Sequence, residues 1–176
     1  MSELSSFSDV DRSPNPGQCV QRLDVSAVDL AEAKARLTAL AQLQPDQRWL
    51  DLGCGVGHDR AGQIIAVGLD ASMAMLTEAR RRLPSGLLVA GDCHALPLAD
   101  RTVDACRIDR VLQHVIEPVR VLAEARRCLR PGGRIAIFEP DWSSLRFDAT
   151  DIHVSTAVVQ SVVARHRHGR IGSQLT

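Results

Sequence analysis

The 176-residue chain is 45% hydrophobic, enough to fill one domain core, and it has no run near the roughly 18 apolar residues that a membrane-spanning helix needs. Its 21 basic and 21 acidic residues cancel, which excludes a global field that would draw nucleic acid or an anionic membrane surface. Cys19, Cys54, Cys93, Cys106 and Cys128 lack any C-x-x-C spacing, against a disulfide framework or a zinc site, and no basic and apolar leader opens the chain, so a cytoplasmic protein without a metal centre is expected.

Residues 1–17, rich in serine and closed by Pro14-Asn15-Pro16-Gly17, read as a mobile leader. The folded unit is then a single domain over 18–176, with its core at 46–142 and a helical C-terminal segment at 150–169. Ser26 and Asp29 have the spacing of a capping box, and Leu30, Ala33, Leu37, Leu40 and Ala41 keep helical periodicity up to Pro45. Arg48-Trp49-Leu50 reads as a short strand that runs into Asp51-Leu52-Gly53-Cys54-Gly55-Val56-Gly57.

A chain leaving a buried parallel strand must turn sharply and let its backbone approach a ligand, and side chains at Gly53, Gly55 and Gly57 would obstruct both. An ordinary strand-to-helix turn would satisfy the same glycines. The spacing is not the G-x-G-x-x-G of dinucleotide binders, and Asp51 would repel a pyrophosphate while suiting the ammonium of an amino acid. The next two apolar runs strengthen the ligand reading. Ile64 to Leu69 ends in Asp70, where a carboxylate can accept both hydroxyls of a ribose, and Leu87 to Ala90 leads to Asp92, where one can accept from an adenine amine.

Between those runs, Ser72 caps a helix carrying Met73, Leu76, Ala79 and Leu83 on one side, with Arg80-Arg81-Arg82 as a dipole-compensating last turn before Pro84. Thr102 to Asp109 reads as a fourth strand. Pro118 suits the first turn of a helix with Val121, Leu122, Ala125 and Leu129 as its buried stripe, stopped by Pro131-Gly132-Gly133. Arg134 to Phe138 is a fifth strand, after which Glu139-Pro140-Asp141-Trp142 leaves toward the rim of the glycine loop. A last helix from Asp151 to His168 is expected to bury Ile152, Val158, Val159, Val162 and Val163 and to end at Gly169. Strands alternating with helices predict a doubly wound, mainly parallel α/β sheet with its ligand at the carboxyl ends of the strands.

Taken in order, D-L-G-C-G-V-G, the G-L-D-A-S around Asp70, G-D-C-H-A-L-P-L at 91–98, D-R-V-L-Q-H at 109–114 and L-R-P-G-G-R-I at 129–135 resemble the class I S-adenosylmethionine-dependent methyltransferases, and within them the small-molecule branch of ubiquinone and menaquinone biosynthesis. The resemblance covers about residues 46–142 and implies a Rossmann-like methyltransferase fold, S-adenosyl-L-methionine as cofactor and a small-molecule methyl acceptor. It implies that Asp51, Gly53, Cys54, Gly55 and Gly57 surround the methionine end, Asp70 the ribose, Ala71 and Met75 the adenosine, and Asp92 with Cys93 the adenine. Arg110 would lie with its backbone against the methionine portion and Leu112 would wall the pocket. His114 falls near the transferred methyl, as a general base, a helix cap or a shaping side chain, while Asp141 and Trp142 would line the acceptor site.

The sequence departs from that pattern twice. Only His58 to Gln63 separates Gly57 from the second strand, too few for a full crossover helix, and the chain stops at Thr176 where the family continues with two strands and a helix. The sheet is therefore expected to be incomplete at its C-terminal edge, either because the chain is a shortened version of a longer protein or because it pairs that edge with a partner such as another copy. The competing functions are a nucleic-acid base methyltransferase, which lacks its Asn/Asp-Pro-Pro-aromatic clamp after Ile108, a nicotinamide oxidoreductase, and a catalytically silent protein that binds the cofactor or a partner on the same scaffold.

Overall fold

The computed structural model describes residues 7–42, 44, 46–58, 65–147 and 150–175. Five strands, β1 (Arg48–Leu52), β2 (Ile65–Asp70), β3 (Leu87–Ala90), β4 (Val103–Asp109) and β5 (Leu129–Phe138), form one sheet in the order β3-β2-β1-β4-β5. Every pairing is parallel, so the strands all deliver their carboxyl ends to one rim. The order reverses beside β1, which puts the topological switch point next to the glycine loop.

Alternation along the strands sorts the side chains onto two faces. Trp49, Ala66, Ala105 and Ala136 pack against Leu37 and Ala41 at the end of α2 (Ala31–Leu40). The opposite face gathers Leu50, Leu52, Leu69, Cys106 and Ile108 under Val121, Ala125 and Cys128 of α4 (Pro118–Cys128). Pro118 lies in the first turn of α4 as expected, and Ser72 caps α3 (Met73–Arg82) by accepting the amide of Met75. With helices on both faces, the doubly wound α/β architecture read from the sequence is the one observed.

Several local expectations are corrected. The Ser26 and Asp29 pair lies inside a helix, α1 (Pro16–Asp29), where the Ser26 hydroxyl donates to the Leu23 carbonyl, and the chain breaks helix only at Leu30. Pro16, whose fixed φ suits a first turn, starts α1 within the segment expected as a leader. That segment meets the domain from Phe7 onward: Val10 is buried against Cys19, Val56 and Met75. The Pro131-Gly132-Gly133 stretch does not end α4 but lies inside β5, where residues 130–133 stand opposite Asp104 alone as a bulge.

The C-terminal helix α5 (Ile152–Ala164) is shorter than expected, and the burial expected along it is corrected. Ile152 is 69% exposed and Val158 is also exposed, while Val159, Val162 and Val163 are half-buried, because α5 rests mainly on the 3₁₀ turn at Trp142–Ser144. Among the described residues no strand follows β5, which leaves β5 and β3 as the sheet edges. Of the short connection after β1, residues 53–58 form turns without a helix, and 59–64 lie outside the described residues. Among the described residues no helix is long and apolar enough to cross a membrane.

Candidate cofactor and acceptor site

The glycine loop leaves β1 with Gly53, Gly55 and Gly57 all in the left-handed region, at φ +68°, +51° and +78°. A Cβ at Gly53 would collide with Val111, in the turn after β4, so glycine is required there by conformation and by space. The amides of Gly53 and Cys54 donate to the Leu69 carbonyl at 2.8 and 3.0 Å, which ties the loop to the end of β2. Leu23 of α1 closes over it, within 3.1 Å of where a Gly55 Cβ would stand.

The carboxylates predicted at three strand ends differ in their employment. Asp51 points to the α2 face of the sheet, is 2% exposed, and lies opposite Arg107, whose Nη1 is 3.3 Å from its Oδ1. Arg107 also donates to Asp109 at 2.8 Å, and Asp109 accepts from Lys34 at 2.6 Å and from Arg110 at 2.9 Å. Burial alone would raise the pKa of Asp109, but Arg110, Lys34 and Arg107 hold it below its usual value. This buried charge row crosses from α2 to β1 and is not legible in the sequence, where Lys34 lies between Ala33 and Leu37 of a helical pattern and Arg107 within the fourth strand.

Asp70 accepts the amide of Gly55 through Oδ2 at 2.8 Å and that of Ser72 through Oδ1 at 2.9 Å. Its pKa is raised, chiefly by burial, against the lowering effect of those amides. The Ala71 amide also bears on it, and since a carboxylate offers about four acceptor positions, capacity for a ribose hydroxyl remains. Ala71 beside it is exposed, whereas Met75 is sealed in the cluster with Val10, Cys19 and Val56.

Asp92 is the most open of the three. Its Oδ1 accepts from the His94 amide at 2.9 Å and pairs with His94 Nδ1 at 2.6 Å, and these contacts hold its pKa below the usual range. His94 Nε2 in turn accepts the Glu117 amide at 3.2 Å, which assigns the ring proton to Nδ1. The ligand atoms of Asp92, Cys93 and His94 lie within 4.8 Å of one another, yet both His94 nitrogens are engaged and burial pushes the Cys93 thiol up to about 11, so the trio is a hydrogen-bonded turn.

Beyond β4 the chain makes a tight turn at 110–114. Arg110 adopts φ +58°, a left-handed conformation uncommon for any residue but glycine, while its amide donates to the Phe138 carbonyl at 2.7 Å. Leu112, expected as a pocket wall, is instead fully buried in the central core. His114 ends the turn, its ring 5.7 Å from Phe7 and 5.9 Å from His166, and Trp142 stacks on His166 at 4.7 Å. Burial, with His166, Arg110 and Arg22 nearby, lowers the His114 pKa to about 4, so the imidazole is neutral at pH 7. Trp142 donates from Nε1 to Gln113 Oε1 at 2.7 Å, which fixes its ring. Asp141 accepts from the Ser143 hydroxyl and amide at 2.6 and 3.0 Å, capping its own 3₁₀ turn.

The structure thus brings the glycine loop, Asp70 and Asp92 to adjacent strand ends, and sets Phe7, His114, His166 and Trp142 as a row of rings at the same rim. Phe7 and His166 were missed in the sequence because no local pattern ties either to a strand end.

Residues 50–137 match the methyltransferase domain family, and the chain belongs to it. It is 47% identical over 145 residues to an uncharacterised 37.1 kDa protein of transposon Tn4556 from Streptomyces fradiae, covering 75% of this chain and 41% of that one. It is 41% identical over 100 residues to a demethylmenaquinone methyltransferase of Renibacterium salmoninarum, covering 54% of this chain and 42% of that protein. The chain therefore spans less than half the length of these relatives. Among solved structures, an S-adenosylmethionine-dependent methyltransferase of Thermotoga maritima, described as a possible histamine N-methyltransferase, aligns with a TM-score of 0.56 at 27% identity, over 68% of this chain and 57% of that one.

Proposed function

We propose that this chain forms the cofactor-binding core of an S-adenosylmethionine-dependent methyltransferase that acts on a small molecule. The observation that carries the reading is the convergence of the left-handed glycine loop with Asp70 and Asp92 at the ends of neighbouring parallel strands. The residues fit the cofactor: the glycines leave backbone open where side chains would intrude, Asp70 keeps acceptor capacity for a ribose hydroxyl, and Asp92 Oδ2 has no protein partner among the described residues, so it suits an adenine amine. Five free cysteines fit a reducing, cytoplasmic setting.

Bound S-adenosylmethionine supplies an electrophilic methyl on sulfur, so the protein's work is to align the acceptor and exclude water. In this reading Arg110 turns its backbone toward the methionine end, and Phe7, His114, His166 and Trp142 offer ring faces to a planar acceptor. His114, neutral at pH 7, accepts a hydrogen bond from an acceptor O–H or N–H. Its lowered pKa makes it a weak base for the free acceptor, but an oxygen or nitrogen that has gained a methyl is far more acidic, and a weak base then suffices. The relatives named for demethylmenaquinone suit this ring-lined rim.

A second reading is a silent binding scaffold, favoured by the sealing of Asp51 against Arg107, which takes from it the free charge that an ammonium would seek. Calorimetric titration with S-adenosylmethionine, S-adenosylhomocysteine and NAD separates the two in part. Heat with the first two and none with NAD supports the cofactor assignment; no heat with either sulfur compound would sink it. Transfer of a labelled methyl to a demethylated quinol then distinguishes an enzyme from a silent binder.

A further inference from the structure

Glu139 follows β5 and reaches across to the turn after β4. Its Oε1 accepts the Leu112 amide at 2.5 Å, and the amides of Val111 and Gln113 also bear on the carboxylate. Successive amides of one turn therefore converge on one side chain. Its Oε2 is buried and has no hydrogen-bond partner among the described residues, so no ion pair competes for the group. The same turn begins at left-handed Arg110 and ends at His114, whose amide donates to the Val111 carbonyl at 2.9 Å. Val111 also abuts Gly53 of the glycine loop. A single carboxylate thus underlies the junction between the cofactor side and the acceptor side.

We propose that Glu139 is a positioning residue of this site: by gathering the amides of Val111, Leu112 and Gln113 it holds the turn that presents Arg110 and His114. The inference deepens the methyltransferase reading and rests on it. An ionised carboxylate accepts from amides about twice as strongly as a neutral one, so the hold depends on ionisation. The titratable and charged groups on the elements around it are Asp104, Arg107 and Asp109 on β4, Arg110 and His114 on the turn, and His168 and Arg170 on the C-terminal turn, which packs on the 139–141 backbone through Gly172. Burial, and secondarily Asp109, raises the Glu139 pKa to about 7 against the lowering effect of the three amides. The turn is accordingly gripped above neutrality and loosened below it.

The test records the amide resonances of residues 111–113 and the Glu139 side-chain carboxyl carbon in the full chain from about pH 5.5 to 8.5, beside S-adenosylhomocysteine affinity by calorimetry. The expected result is a common midpoint near pH 7 for the carboxyl carbon and the amides, loss of the amide transition in Glu139→Gln, and affinity that falls roughly tenfold from pH 8 to 6 in the natural chain but stays flat in the variant. Amides that do not follow the carboxyl carbon, or that titrate unchanged in Glu139→Gln, overturn the proposal. The natural chain's own titration decides the matter if the variant does not fold. Absence of any S-adenosylhomocysteine binding would defeat the cofactor reading instead, and the resonances would still report whether Glu139 holds the turn.

Discussion

Arg107 Nη1 stands 3.3 Å from Asp51 Oδ1 on the α2 face of the sheet, with the two side chains 1% and 3% exposed. The register that pairs Asp51 with Arg107 across β1 and β4 makes the contact unavoidable once the strands align. Two buried charges are tolerated because the row continues through Asp109 to Lys34, so no member is left without an opposite partner.

Removing Arg107 should therefore be far worse than removing the charge of Asp51. Arg107→Leu removes the guanidinium that faces both Asp51 and Asp109, and breaking a buried ion pair by removing one partner costs about 3–5 kcal/mol. Asp51→Asn leaves Arg107 bonded to Asp109 and should cost less than half of that. Urea unfolding of both variants checks the order. If Asp51→Asn keeps its stability but no longer binds S-adenosylmethionine, the carboxylate serves the ammonium as well as Arg107.

Asp70→Ala removes the acceptor read for the ribose and also frees the Gly55 and Ser72 amides. S-adenosylhomocysteine affinity should fall by roughly tenfold or more, the worth of hydrogen bonds to a charged group. Unchanged affinity in calorimetry would remove Asp70 from the cofactor site.

Asp11 pins the N-terminal segment to α3, accepting from the Ser72 hydroxyl at 2.5 Å and from the Met73 and Ala74 amides at 2.8 and 3.0 Å. Those contacts, the Ser72 hydroxyl foremost, hold its pKa below the ordinary value. Asp11→Ala should cost about 1 kcal/mol, as for a lost helix cap, and should speed protease cleavage near residues 7–14. Cleavage at the natural rate would show that Phe7 and Val10 hold the segment unaided.

His114 and Glu139 should bend the pH dependence of stability in opposite directions. His114 has a pKa of about 4 in the fold against 6.5 when unfolded, so the unfolded chain binds the extra proton and stability is lost as pH falls from 6.5 toward 4. Glu139 has a pKa of about 7 in the fold against 4.5 when unfolded, so the folded chain binds the extra proton and stability is lost as pH rises from 4.5 toward 7. The two slopes largely cancel over their shared window. Urea unfolding at about pH 5 and pH 7 should show stability falling with pH in His114→Phe and rising with pH in Glu139→Gln, by on the order of 2 kcal/mol each. Equal slopes in both variants would contradict the opposed pair.

Strand ends were legible because their signals are local: an apolar run closed by Asp51 and three glycines, another closed by Asp70, and a third followed by Asp92. Pro118 and Ser72 likewise marked helix starts through their own backbone chemistry. Helix α1 escaped notice although Asn15-Pro16 announced it, because the serine-rich residues before it set the expectation of a leader. The apolar spacing of α5 was real but could not reveal whether anything lay against it, and Ile152 and Val158 on that face are exposed.

The chain by itself determined which residues reach the carboxyl rim, since a period of two and a closing turn decide where each strand delivers its last side chain. Only the tertiary structure decided what those residues do there. Arg107 meets Asp51 from 56 positions away, Glu139 grips Leu112 from 27, and Asp11 caps a helix 61 residues on, and no spacing in a linear pattern encodes contacts made by neighbouring strands and a folded-back terminus. Charge and hydrogen-bonding capacity belong to the residue, but whether they face a ligand or another side chain is settled by packing, because a buried polar group must take whichever partner the fold brings within reach.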